Sequence, residues 1–144
     1  MKLLLAEDEP DVQLIARLAL KKAGFTVVTV GNGVEVLQRV ADERPDAILL
    51  DWMMPDMDGY ETCRRLKADP ATAAIPVIFL TARVQEAEVA RAIALGAAGC
   101  IGKPFDALTL GTQVLELLKQ QDRLPDLRTA AETGRENEPG NRSE

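Results

Sequence analysis

The chain has 144 residues and a formal net charge of −6, with no histidine, two cysteines and only 3% aromatic residues. The acidic balance argues against a nucleic-acid surface, which needs clustered Lys and Arg to replace counterions. The lack of histidine excludes Cys/His zinc sites and Ser-His-Asp catalysis, and the hydrophobic share of 47% suits one domain with a core of Leu, Val, Ile and Ala.

Lys2–Ala6 reads as a buried strand, and Pro10 can open the helix that follows, since its missing N–H is not needed at the first helical position. Val12, Ile15, Ala16, Ala19, Leu20 and Ala23 recur at helical spacing, and Gly24 closes the run. On this pattern Ile15 and Leu18 are expected in the core. Phe25–Val30 is rich in strand formers, and Gly31-Asn32-Gly33 is a turn. Val34, Leu37, Val40 and Ala41 mark a second helix that stops before Pro45. Asp46–Leu50 is a third strand, and a loop holding Pro55 and Gly59 leads to a helix ending near Ala68. Pro76–Thr81 is a fourth strand, Gln85–Leu95 a helix closed by Gly96, and Gly99–Gly102 a short fifth strand. Asp106 can cap a last helix that runs to about Gln121. Residues 1–121 therefore form one domain. Residues 122–144, polar and rich in Glu, Arg, Asn and Gly, read as a disordered tail or linker, with no output domain visible.

Cys63 and Cys100 stand far apart, with no CxxC spacing, and are expected to be reduced packing residues. The apolar run at the start is far shorter than a signal-peptide core and meets Glu7-Asp8-Glu9 at once. No segment has transmembrane length. A cytoplasmic location is the expectation.

Apolar strands alternating with single helices imply an α/β fold. Both faces of a parallel sheet are covered, in the doubly wound, flavodoxin-like (βα)5 arrangement with strand order 2-1-3-4-5. Ligands of such sheets sit beyond the carboxyl ends of the strands. Strand 1 delivers Glu7 and Asp8 to that edge, strand 3 Asp51, strand 4 Thr81 and Ala82, and strand 5 Lys103 followed by Pro104 and Phe105. Each residue alone has an ordinary reading: an acidic helix cap, a turn former, a strand-forming threonine, a solvated lysine. Their joint occurrence at four strand ends points to one pocket.

Chemistry explains the set. Clustered carboxylates with water suit Mg²⁺, a hard cation. An aspartate can act as nucleophile and form an acyl phosphate. Mg²⁺, the Lys103 ammonium and the Thr81 hydroxyl would neutralise charge on a transferring phosphoryl group, and the small Ala82 leaves room for it. A compact ammonium is enough where no bidentate fork is needed. A phosphohydrolase with Asp51 as nucleophile is the enzymatic alternative, but the residue two positions on is Met53, which cannot transfer a proton. A domain that binds partners without phosphate is a third reading, opposed by the intact set.

The segments Leu-Leu-Leu-Ala-Glu-Asp-Glu-Pro (3–10), Leu-Leu-Asp-Trp-Met-Met-Pro-Asp-Met-Asp-Gly (49–59), Val-Ile-Phe-Leu-Thr-Ala (77–82) and Gly-Ala-Ala-Gly-Cys-Ile-Gly-Lys-Pro-Phe (96–105) resemble the receiver domain of two-component response regulators. The resemblance implies that Asp51 is the phospho-acceptor and Asp8 a direct Mg²⁺ ligand, with Glu7 acting through water and Met53 through its backbone carbonyl. It makes Thr81 the switch hydroxyl and Lys103 the phosphate-binding lysine, with a cis peptide to Pro104. It implies a sensor histidine kinase or phosphotransfer protein as donor, meeting the first helix near Ile15, Leu18 and Ala19. Signalling would pass through the face of helix 4, strand 5 and helix 5, to a protein effector or a second copy. Two departures stand out. Cys100 occupies the position of the family's switch aromatic. Met53 and Arg83 sit where the family tunes dephosphorylation, and neither orients water as a carboxylate or amide would, so a long-lived phosphoryl group is expected.

Overall fold

A computed structural model of the protein describes residues 1–82 and 85–120. Arg83, the end of the last helix at Gln121 and the proposed tail at 122–144 lie outside the described residues.

The chain runs β1 (Lys2–Ala6), α1 (Pro10–Lys22), β2 (Thr26–Val30), α2 (Gly33–Glu43), β3 (Ala47–Asp51), α3 (Gly59–Ala68), β4 (Val77–Thr81), α4 (Glu86–Ala94) and β5 (Gly99–Gly102). Residues 110–120 form a further helix, α5. The strands build one parallel sheet in the order β2-β1-β3-β4-β5, the doubly wound (βα)5 arrangement. β3 and β4 are buried along their whole length, because helices cover both faces.

Alternating side chains divide the core in two. Leu3, Leu5, Leu49, Ile78, Leu80 and Ile101 meet α1 and α5 through Ala16, Leu20, Leu110 and Val114. Leu4, Ala6, Ile48, Leu50 and Phe79 meet α2, α3 and α4 through Val36, Val40, Cys63, Leu66 and Ala92. Cys63 is buried, Cys100 half-buried, and both are free thiols. Burial pushes the Cys63 thiol up to about 11, so it packs rather than reacts.

Local chemistry moves several boundaries by a residue. Pro76 lacks an N–H for the ladder, and β4 starts at Val77. Asp46 stays outside β3, its carboxylate accepting the Lys2 backbone N–H at 2.7 Å, and β3 extends instead to Asp51. The Gly31–Gly33 turn is shorter than expected: Asn32 caps α2 by accepting the Glu35 N–H at 2.9 Å, and the helix begins at Gly33. Glu35 returns a bond to the Gly31 N–H at 3.0 Å, a reciprocal cap. Asp106 accepts the Leu108 N–H at 2.9 Å, and a turn at 107–109 precedes regular α5. Gly24 follows α1 with φ +104°, the left-handed cap its position predicts.

One expectation is overturned. Ile15 and Leu18 are not core residues; they are 51% and 52% exposed. α1 is apolar over an arc wider than its contact with the sheet, and Ala16 and Leu20 fill that contact. Among the described residues no helix is long and apolar enough to cross a membrane.

Candidate functional site

The strand register brings the expected residues to one edge. Ala6 pairs with Leu50, Asp51 with Leu80, and Thr81 with Gly102. Glu7, Asp51, Thr81 and Lys103 therefore leave the sheet at the same edge, within two residues of one level. Glu7 is fully buried, Asp51 3% and Thr81 4% exposed. Asp8, Asp51, Met53, Thr81, Ala82 and Lys103 line one cleft.

The Lys103 ammonium lies at the centre. Its Nζ donates to Glu7 Oε1 at 3.1 Å and to Asp51 Oδ2 at 3.3 Å. Glu7 uses its second oxygen, Oε2, to accept the Glu9 N–H at 3.1 Å, and Asp51 Oδ1 accepts the Met53 N–H at 3.3 Å. Two buried carboxylates thus share one ammonium and two backbone N–H groups. Burial pushes the Asp51 carboxyl up, the negative charge of Glu7 adds to this, and Lys103 offsets only part, leaving it at about 7. Burial would lower Lys103, but its hydrogen bond to Glu7 and the charges of Asp51 and Glu7 outweigh it and hold the ammonium above its usual value.

Asp8, exposed, completes an acidic group. Oxygens of Glu7, Asp8 and Asp51 all lie within 4.8 Å of one another. Octahedral bonds of about 2.1 Å place neighbouring ligands about 3 Å apart and opposite ones about 4.2 Å apart. The donor set therefore fits Mg²⁺ with small adjustments or with water between ion and carboxylate.

The loop after Asp51 is held by the backbone. Trp52 N–H donates to Leu80 carbonyl at 2.9 Å, and its own carbonyl accepts the Gly59 N–H at 3.0 Å. A Cβ on Gly59 would stand 2.4 Å from the Asp51 carbonyl oxygen. Asp58 caps α3 by accepting the Glu61 N–H at 2.8 Å. Lys103 N–H is tied to the Thr81 carbonyl at 2.8 Å, and the Lys103–Pro104 peptide is cis.

The family model for the response regulator receiver domain matches residues 3–116. The chain belongs to that family. The phosphate regulon transcriptional regulatory protein PhoB of Rhizobium meliloti is 39% identical over 119 residues, which cover 83% of this chain and 52% of PhoB. The chain spans about half the length of the curated relatives it matches. Among solved structures, a putative response regulator from Chloroflexus aurantiacus is similar at 31% identity with a TM-score of 0.76, covering 82% of this chain and 97% of that one. The chemotaxis response regulator CheY4 of Vibrio cholerae matches at 28% identity and the same TM-score, covering 81% and 97%. Receiver domains of this family act as phosphorylation switches.

Two features of the receiver's site were not read from its sequence. Glu9 flanks α1 without capping it through its side chain; its carboxylate instead lies 3.8 Å from Lys103. The run Glu7-Asp8-Glu9 before Pro10 held that signal. The close approach of Gly59 to Asp51 depends on loop path and has no local pattern.

Proposed function

We propose that Asp51 accepts a phosphoryl group from the phosphohistidine of a sensor histidine kinase or phosphotransfer protein. The carboxylate oxygen forms the new P–O bond as the P–N bond breaks, and the histidine nitrogen keeps the electron pair. The carrying observation is the buried Asp51 carboxylate meeting Glu7, Asp8 and Lys103 in one cleft. Glu7, Asp8, Asp51 and the Met53 carbonyl would hold Mg²⁺, which supplies charge neutralisation for phosphoryl oxygens when bound. Lys103 is the second cation and takes a phosphoryl oxygen, its attraction to Asp51 already in place. Thr81 stands at the same edge for a third oxygen, and its movement toward the phosphoryl group carries the change into β4 and α4. The output surface is α4–β5–α5, read by a protein effector or a second copy of the chain; the setting is the cytoplasm.

Donor docking is assigned to α1. Leu14, Ile15 and Leu18 leave apolar surface exposed, and Leu108, in the turn before α5, is 87% exposed beside it. Ile15, Leu18, Ala19 and Leu108 line one groove between the two elements. Unpartnered apolar surface grouped this way suits a helical protein partner.

Intact-mass measurement after incubation with acetyl phosphate and Mg²⁺ tests the acceptor. One phosphoryl adduct is expected on the native chain, and none on Asp51→Ala or after chelation of the metal. An adduct that survives Asp51→Ala would overturn the assignment.

A further inference from the structure

We propose that Arg91 on α4 links the occupancy of Asp51 to that helix through the Trp52–Tyr60 ring pair, in the layer where Cys100 supplies no aromatic ring. The inference rests on Asp51 being the acceptor.

Trp52 adjoins Asp51 in sequence and packs on Phe79, ring centroids 4.7 Å apart at 58°. Tyr60, in the first turn of α3, meets Trp52 edge-on at 6.2 Å and 70°. The Arg91 guanidinium lies 4.6 Å from the Tyr60 ring centroid and 6.0 Å from that of Trp52. A single side chain of α4 thus meets two rings, one of them on the residue that follows the acceptor in sequence. Phe79 is the register partner of Cys100 on β5, so Trp52, Phe79 and Cys100 share one layer.

Ala92 is the only buried residue of α4. Among the described residues, a buried carboxylate oxygen of Glu88, one turn earlier, has no hydrogen-bond partner, which opposes packing there. The link requires that α4 have two arrangements close in free energy, between which a weak contact can decide. A phosphoryl group on Asp51 carries about −1.5 to −2 charges in place of the carboxylate's single charge, so the acceptor position becomes more negative and its charge sits further out. That charge draws the guanidinium more firmly onto the rings and slows local opening of α4. An exposed cation–π contact is weak, so the expected change is roughly threefold.

The test is amide hydrogen exchange of residues 86–94 with and without acetyl phosphate and Mg²⁺, with intact mass read on the same samples. In the native chain, phosphorylation should slow exchange there about threefold. Arg91→Gln should take up the same phosphoryl mass yet lose the exchange response, and Arg91→Lys, still cationic, should keep part of it. A native-sized response in Arg91→Gln, or no response in a phosphorylated native chain, would overturn the link while leaving Asp51 as acceptor. A native chain that forms no adduct would remove the acceptor reading and this inference together.

Discussion

Asp51 is held near its titration point by its surroundings. Its carboxyl titrates at about 7 in the folded chain against an ordinary value of 3.8, because burial and Glu7 oppose its charge more than Lys103 favours it. Between those values the folded state binds the extra proton. This contribution to stability therefore falls as pH rises from about 4 to about 7, and stays lost above, by at most about 1.4 kcal/mol per pH unit. Asp51→Asn removes the charge and should melt higher than the native chain in EDTA, by a margin that is small near pH 5 and largest near pH 8. Saturating Mg²⁺ should raise the native melting temperature more than that of the variant, since binding stabilises only the state that binds. An equal margin at both pH values in thermal unfolding would refute the account. The carboxylates and the lysine were legible in the sequence because their positions follow from strand ends alone. The sharing of one ammonium by Glu7, Glu9 and Asp51 was not, since it depends on which way each side chain turns. Met53, 74% exposed and apolar, offers no group to orient an attacking water. The phosphoryl adduct should last minutes or longer, and Met53→Glu should shorten it; decay of the native adduct within seconds would contradict this.

At the scale of elements, the loop from β3 to α3 sets the acceptor. Gly59 approaches so closely that a Cβ would lie 2.4 Å from the Asp51 carbonyl oxygen and 3.1 Å from Trp52 Cα, both backbone atoms. Backbone cannot yield as a side-chain tip can. Gly59→Ala should cost about 1–3 kcal/mol by overpacking. It should also slow phosphoryl uptake from acetyl phosphate roughly tenfold, because misplacing a reactive group by a fraction of an ångström is costly. Native uptake in a destabilised Gly59→Ala chain would separate the loop from the chemistry. Helix and strand existence was readable here from hydrophobic period. The ends were decided by single groups: the missing N–H of Pro76, the Asn32 cap, the Asp46 carboxylate spent on Lys2.

Across the whole molecule, the sheet order puts α1 and α5 on one face and α2, α3 and α4 on the other, and the two faces can take different partners. The exposure of Ile15 and Leu18 is informative in this light. Periodicity marks α1 as amphipathic, but how much of an apolar arc the sheet can cover depends on the neighbouring helix, which sequence pattern does not supply. Ala16 and Leu20 satisfy the sheet, leaving Leu14, Ile15 and Leu18 at 46%, 51% and 52% exposure. Replacing Ile15 and Leu18 by Ser should therefore change stability by no more than about 0.5 kcal/mol per site, as surface substitutions do. Uptake from acetyl phosphate should stay native, because that small donor needs only the cleft around Asp51. Transfer from a phosphorylated histidine donor protein should slow at least about tenfold, since apolar anchors at the centre of an interface carry much of its energy. The two donors measured side by side separate docking from chemistry. Equal transfer from the protein donor would move the docking surface away from α1, and a matching loss with acetyl phosphate would mean that the substitutions reach the site through the fold.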